Sequence, residues 1–336
     1  MKTPTALAHV VVTSIHPPTE AVRRMSRYPH LRTVVVGDAK SPAKWQQDGV
    51  DYWPLERQGE IDAPLAAKLP ENHYSRKMLG YVHAMRCGAS AIVDTDDDNL
   101  PLGDWRFPDM TGRFFSTLPQ LGFVNVYRHF TSQFIWPRGF PLELVRQPAC
   151  WRESLSEQVQ QVAIWQGLAQ HDPDVDAIYR LVLGQACQFD EAPALVLSPG
   201  TVCPFNSQNT WFSKAAFPLL YIPSQVSFRF CDILRGLVAQ PILWRMGLRL
   251  GFCSAHVRQE RHPHDLMSDF QSEWPMHAYG SRVVDWVNEA LGQGPGAVDW
   301  LHDAYVALAR HGVVPGTELG MLEAWLAAMS RTRPLA

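Results

Sequence analysis

Residues Ala91 to Asn99 read AIVDTDDDN, an apolar run that passes directly into Asp94, Asp96, Asp97 and Asp98. The apolar half has no polar alternation, the pattern of a strand buried on both faces of a parallel sheet. Four carboxylates in five residues repel one another, more so when buried, unless a cation neutralises them. Hard cations such as Mg²⁺ take carboxylate oxygens together with substrate phosphates, and open α/β sheets bind ligands beyond the carboxyl ends of their strands. The stretch therefore predicts an α/β fold with a metal-nucleotide site at this strand end. An EF-hand-like calcium loop fits poorly, because Asn99 and Trp105 stand where it needs glycine and glutamate. An aspartyl-phosphate phosphatase would continue with Thr or Val where this chain has Asp98. A solvated acidic turn after an edge strand is the structural alternative.

Outward from this point the α/β pattern repeats. His9 to Thr13 (HVVVT) and Arg32 to Gly37 (RTVVVG) are further strands of the buried kind. Between them Thr19 can cap a helix over Glu20 to Tyr28. Asn72 to Cys87 has helical spacing of Met78, Tyr81, Val82 and Met85, and Gly88 ends it. Pro101 to Pro148 is rich in Pro, Gly and aromatics and reads as loops and short strands, Gly122 to Tyr127 among them. Ala194 to Leu197 reads as a strand, and Val226 to Leu250 as helix interrupted at Pro241. Beyond Pro275 the chain turns helical, with segments over Val283 to Leu291, Val298 to Ala309 and Leu319 to Met329. No internal repeat or low-complexity linker separates the halves.

The chain has 336 residues, room for one large domain or two closely packed ones. With 46% hydrophobic and 19% charged residues it is neither disordered, collagenous nor coiled-coil. A formal net charge of -3 supplies no electrostatic footprint for nucleic acid. The six cysteines form no Cys-x-x-Cys pair, which excludes zinc ribbons and redox motifs. Met1 to Ser14 does not read as a signal peptide. No apolar run approaches the ~18 residues of a membrane span. The expected location is cytoplasmic. Surface attachment stays open through the arginine-interrupted segment Phe228 to Phe252, which reads either as a membrane-lying segment or as a buried helix pair.

Several blocks carry a family resemblance. Val35-Val36-Gly37-Asp38 with Lys40, Ser41, Pro42 and Trp45, then Tyr74-Ser75-Arg76-Lys77 with Gly80-Tyr81, are followed by Asp94-Thr95-Asp96-Asp97. Trp136-Pro137-Arg138-Gly139, Pro173-Asp174-Val175-Asp176, Asn206-Ser207 with Asn209-Thr210, and Asp232-Ile233-Leu234-Arg235-Gly236 complete the series. In order and spacing these resemble the STELLO-type glycosyltransferase family over roughly residues 8 to 265. The resemblance implies a GT-A-like, Rossmann-type sheet flanked by helices, a nucleoside diphosphate sugar donor (a UDP-sugar favoured) and Mn²⁺ or Mg²⁺. It divides the chain into a transferase domain over 1–265, with a nucleotide-binding half to about 125 and an acceptor half over 126–265, and a C-terminal helical extension over 266–336. Plant members carry an N-terminal membrane anchor that is not read in this chain, so their location is not transferred.

On this resemblance Asp96 binds the metal with Asp94 or Asp98 as second carboxylate, and Asp94 and Asp97 also face the donor. Asp38 takes base or ribose and Lys40 the phosphates, unless the two form a plain polar turn. Arg76 and Lys77 open a helix, where cations are unfavourable to the dipole, so a diphosphate nearby would explain them. In HDPDVDAIYRL, Asp174 or Asp176 serves as general base for an inverting transfer, with a helix N-cap as the alternative for either. His264, and less so His262, can add a late metal ligand. Trp136, Arg138, Asn206 and Asn209 suit a hydroxyl-rich sugar or acceptor pocket, although Trp136 may equally be core. The function implied is hexosyl or pentosyl transfer to the hydroxyl of a glycan or glycoconjugate. The alternatives are a nucleotide-sugar mutase or self-glycosylating protein, and an inactive transferase-like scaffold.

Overall fold

The computed structural model describes residues 7–332. Residues 1–6, which open the transferase domain and the stretch read as no signal peptide, and residues 333–336, which close the helical extension, lie outside the described residues. The chain runs β1 (Ala8–Thr13), α1 (Glu20–Met25), β2 (Leu31–Val36), β3 (Val50–Trp53), α2 (Gln58–Lys68), α3 (Lys77–Arg86), β4 (Ala91–Thr95) and β5 (Asn99–Pro101). It continues through β6 (Thr111–Ser116), β7 (Gly122–Phe123), α4 (Tyr127–Phe130), β8 (Ser156–Gln170), α5 (Ala177–Val182), β9 (Leu195–Val196), β10 (Thr201–Val202) and β11 (Asn209–Ser213). The last part is α6 (Cys231–Arg245), β12 (Arg249–Gln259), α7 (Leu266–Ala290), α8 (Ala297–Arg310) and α9 (Glu318–Ser330).

The β-branched runs form the parallel part of a large mixed sheet. β2 and β4 both pair parallel with β1, and β3 extends the β2 edge. The strand order thus reverses beside β1, between the excursion through β2 and β3 and the return in β4. Such a switch opens a crevice at the carboxyl ends of the two strands, and the acidic turn after β4 lies there. Beyond β4 the pairing becomes antiparallel: β11 joins β4 to β8. β12 runs parallel to β8 and pairs antiparallel with β5, placing Gln259 opposite Asn99 at the foot of the acidic turn.

The predicted α1 is capped as read, Thr19 accepting from the Val22 N–H. Three expectations are corrected. Pro241 does not interrupt α6, because residues 231–243 are buried throughout and packing outweighs one missing N–H. That burial also removes α6 from any membrane surface. α7 starts at Leu266 and carries Pro275 inside it, capped by the Asp265 carboxylate. Gly122 to Tyr127 is a strand only over Gly122–Phe123, after which the chain turns into α4. β8 was not predicted at all: its buried half includes Gln160 and Gln166, whose amides bond Ser116 Oγ and the Asn209 carbonyl. The C-terminal helices return to the first half, where Arg331 of the last turn pairs with Asp62 of α2 at 2.8 Å.

Candidate functional site

The loops after β1, β2 and β4 meet the segment after β12 around a cleft of about 440 Å³. Its lining includes Ser14 and His16, Asp38 and Lys40, and Asp96 to Asp98 from the three strand ends. Tyr74, Arg138, Asp174, Gln208, Asp232, Arg261, His262 and His264 close the other side. Sequence reasoning missed His16 and Gln208, and it quoted Tyr74 and Asp232 within resemblance blocks without giving them a role in the site. His16 carried a usable signal, since it follows β1 at the same sheet end where the acidic turn follows β4.

Asp94 does not reach the cleft. It is fully buried between Lys77 Nζ at 2.7 Å and Arg235 Nη1 at 2.7 Å. Lys77 is equally buried and also donates to Thr95 O at 2.6 Å, Tyr74 Oη at 2.7 Å and Asp96 Oδ1 at 3.1 Å. Its ammonium therefore fastens the end of β4 from below, and the expectation that it faces a diphosphate is corrected. Arg76 is turned away as well, donating to Gln58 Oε1 and Leu69 O.

Above this floor the turn presents three carboxylates whose ionised forms burial disfavours. Burial, partly offset by Lys77 and reinforced by Asp98, pushes Asp96 up to about 6. Burial likewise raises Asp97 against the Ser14 hydroxyl that bonds it, and Asp98 against the Gln259 amide. Asp98 Oδ1 is buried and accepts no hydrogen bond among the described residues. Beside the turn, His16, Asp97 and His262 bring one ligand atom each within 4.8 Å of the others. Asp97 Oδ1 and His262 Nε2 are 3.8 Å apart, and the two imidazoles lie 4.4 Å apart between centroids, tilted by 33°. Trp45 Nε1 donates to the His16 carbonyl and Ser14 Oγ accepts from the His16 N–H, which fixes the backbone of this loop. Two imidazoles and a carboxylate, with an orphaned carboxylate oxygen nearby, fit a divalent transition metal. His264 lies at the rim, 3.3 Å from Asp269, outside this group.

A raised Asp96 makes a signed prediction. The folded metal-free protein takes up a proton between about pH 6 and 4 that the unfolded chain does not, so this group adds stability as pH falls through that window. The buried, downshifted histidines His9, His73, His129 and His256 act in the opposite direction. Wild type minus Asp96→Asn cancels them. That difference in unfolding free energy is expected to move in favour of wild type from pH 7 to 5 in chelator; a flat difference contradicts the assignment.

On the far wall Arg138 grips Asp174 through two hydrogen bonds of 2.8 Å and reaches Asp232 Oδ2 at 2.8 Å. Burial raises Asp174, but the Arg138 guanidinium outweighs it and leaves the carboxyl below its ordinary value. Asp176 is outside the cleft: it caps α5 by accepting from Tyr179 N, and it accepts from Trp136 Nε1, both at 2.7 Å. Trp136 is correspondingly core. Asp176→Ala is expected to cost about 1–3 kcal/mol in urea unfolding through the lost cap and the unpaired indole, without weakening ligands of the cleft. An unchanged midpoint would remove that role. Asn206 and Asn209 are also internal. Asn206 accepts from Gln208 N, and Asn209 accepts from Trp105 Nε1 and lies 3.1 Å from His256 Nδ1. Asp38 does line the cleft, while its carboxylate ties the Asn72 and His73 N–H groups to its own loop. Lys40 is exposed at the mouth.

The fold and site define an α/β protein with an acidic, histidine-flanked cleft at a strand-order switch. Over nearly its whole length the chain is similar to two proteins of Arabidopsis thaliana. It is 27% identical over 340 residues, 94% of this chain, to "Probable glycosyltransferase STELLO1" and 26% identical over the same share to "Probable glycosyltransferase STELLO2". The STELLO-type resemblance therefore holds and reaches into the helices after residue 265, which the sequence motifs had left out. The chain spans 43% and 44% of the length of these relatives. No family model matches the chain. Among the described residues no helix is long and apolar enough to cross a membrane.

Proposed function

We propose that this chain is a metal-dependent glycosyltransferase that moves a sugar from a nucleoside diphosphate sugar, a UDP-sugar favoured, to the hydroxyl of a glycan or glycoconjugate. The observation that carries the reading is the cluster of carboxylates Asp96 to Asp98 at the switch point, whose one lysine or arginine partner among the described residues is Lys77 at Asp96, flanked by His16 and His262. The similarity to proteins named as probable glycosyltransferases supports it. Asp97, His16 and His262, with Asp96 or Asp98 adjoining, would hold Mn²⁺ in preference to Mg²⁺, because two of these side chains are imidazoles. When bound, the cation neutralises charge on the leaving diphosphate. Asp38 and Lys40, at the end of β2, would face the nucleotide and its phosphates.

In an inverting displacement the acceptor oxygen bonds to the anomeric carbon, the bond from that carbon to the diphosphate breaks with its electron pair, and the hydroxyl proton passes to a carboxylate. Asp174 is a weak candidate for that proton, since Arg138 engages both its oxygens. Asp232 lines the same cleft and gives only Oδ2 to Arg138 and the Ser207 N–H, with no hydrogen bond to Oδ1 among the described residues, so Asp232 is the better candidate for the base and Asp174 keeps Arg138 in place. Asp232→Asn is expected to slow transfer by ~10²- to 10⁴-fold with donor affinity retained. Full turnover in that variant would reject the base. A thermal-shift screen of UDP, GDP, CDP and dTDP sugars with Mn²⁺, Mg²⁺ or chelator identifies the donor, since a ligand of the folded state raises its stability by mass action. A metal-dependent shift for one nucleotide is expected; none for any would reject the transferase.

A further inference from the structure

A second cavity of about 440 Å³ lies against the cleft, and the two share Arg261, His262 and His264 as a common wall. We propose that this second cavity is the acceptor subsite and takes a saccharide through an anionic substituent on its ring, a carboxylate or a phosphate. The proposal rests on the transferase reading above for the word acceptor, and on the cavity's own chemistry for the ligand.

That chemistry is a surplus of donors. His171, Arg180 and Arg261 join His262 and His264 in the lining, against the single carboxylate of Asp172. Asp172 is already engaged by Arg180 Nη1, and Arg180 Nη2 donates to Pro173 O at 3.2 Å. Arg180 Nε is buried with no partner among the described residues, so the protein leaves this guanidinium one hydrogen bond short. Arg261 donates from Nη2 to Asp269 Oδ2 at 2.7 Å and lines both cavities. His171 adopts φ 74 without being glycine and is held so by paired backbone bonds of 2.9 Å to Cys187. Strain kept in place by surrounding structure is a common mark of a binding site. Guanidinium forks match carboxylate and phosphate oxygens better than hydroxyls. A ring bound here by its anionic group sits one wall away from the cleft.

The test is calorimetry of the full chain with trigalacturonate, galactose 6-phosphate and neutral galactotriose, alongside UDP with Mn²⁺. At least one anionic saccharide is expected to bind 10-fold or more tightly than galactotriose, and which one binds tells carboxylate from phosphate. Arg180→Gln is expected to lose that preference at least 10-fold while UDP affinity stays unchanged. Should Arg180→Gln misfold, Gln185→Glu, an exposed lining position, is expected to weaken the anion by a similar factor through added negative charge. Equal binding of the neutral sugar, or anion affinity indifferent to the substitution, overturns the proposal. Anion binding that depends on Arg180 in a chain that binds no nucleotide keeps the subsite and rejects the transferase reading alone.

Discussion

Lys77→Met is expected to destabilise the protein by about 3–5 kcal/mol, the usual consequence of removing one partner from a buried ion pair. The ammonium is fully buried and lies 2.7 Å from Asp94, which is itself fully buried. Without it Asp94 keeps only Arg235, and one carboxylate oxygen is left in the interior with no compensating charge. The same substitution removes donors to Thr95 O, Tyr74 Oη and Asp96 Oδ1, so the acidic turn loses its floor. Nucleotide binding should fall with stability. Urea unfolding measures the first effect, with Lys68→Met as the comparison, because Lys68 is exposed and donates only to Gly320 O at 2.9 Å. A loss below about 1 kcal/mol for Lys77→Met would show that the turn is held by something else.

Asp97→Ala is expected to act in the opposite sense on stability and more severely on metal. Burial raises Asp97 above its ordinary value, so its ionised form is a burden on the metal-free fold at neutral pH, and removing it should leave the protein at least as stable. Mn²⁺ affinity should fall by more than the roughly 10- to 100-fold that loss of an outer bracing partner produces. Ser14→Ala supplies that smaller effect for comparison, since its hydroxyl bonds the same carboxylate. His16→Ala and His262→Ala should resemble Asp97→Ala. Unchanged Mn²⁺ affinity in Asp97→Ala would move the cation elsewhere on the turn.

The parallel half of the sheet was legible because β1, β2 and β4 are β-branched runs buried on both faces, and such runs have few other solutions. β8 was not, because its buried glutamines look solvent-facing until their partners on β6 and β11 are in place. Pro241 misled for a related reason: a helix locked into the core tolerates a residue that would end a free one.

The site was legible as a place and less so as a set of residues. Asp96, Asp97 and Asp98 share a turn, and sequence alone locates that turn at a strand end. Whether a given carboxylate faces ligand or interior depends on alternation and on distant partners. Asp94 is the last charged residue within β4 and points to Lys77 and Arg235, the latter 141 residues away. Asp176 spends both oxygens on a cap and an indole, and Asn209 braces Trp105, so residue types suited to sugars serve here as internal fasteners. His16 lies in no acidic or repeated pattern, and Asp232, although it stands in a block of the family resemblance, is given no role by that block alone.

The most direct test of the metal-nucleotide cleft is calorimetry of UDP against wild-type protein in Mn²⁺ and again in chelator. Binding that appears with Mn²⁺ and disappears in chelator is the predicted result. Equal affinity in both, or no heat from UDP in either while the protein remains folded, would contradict the account.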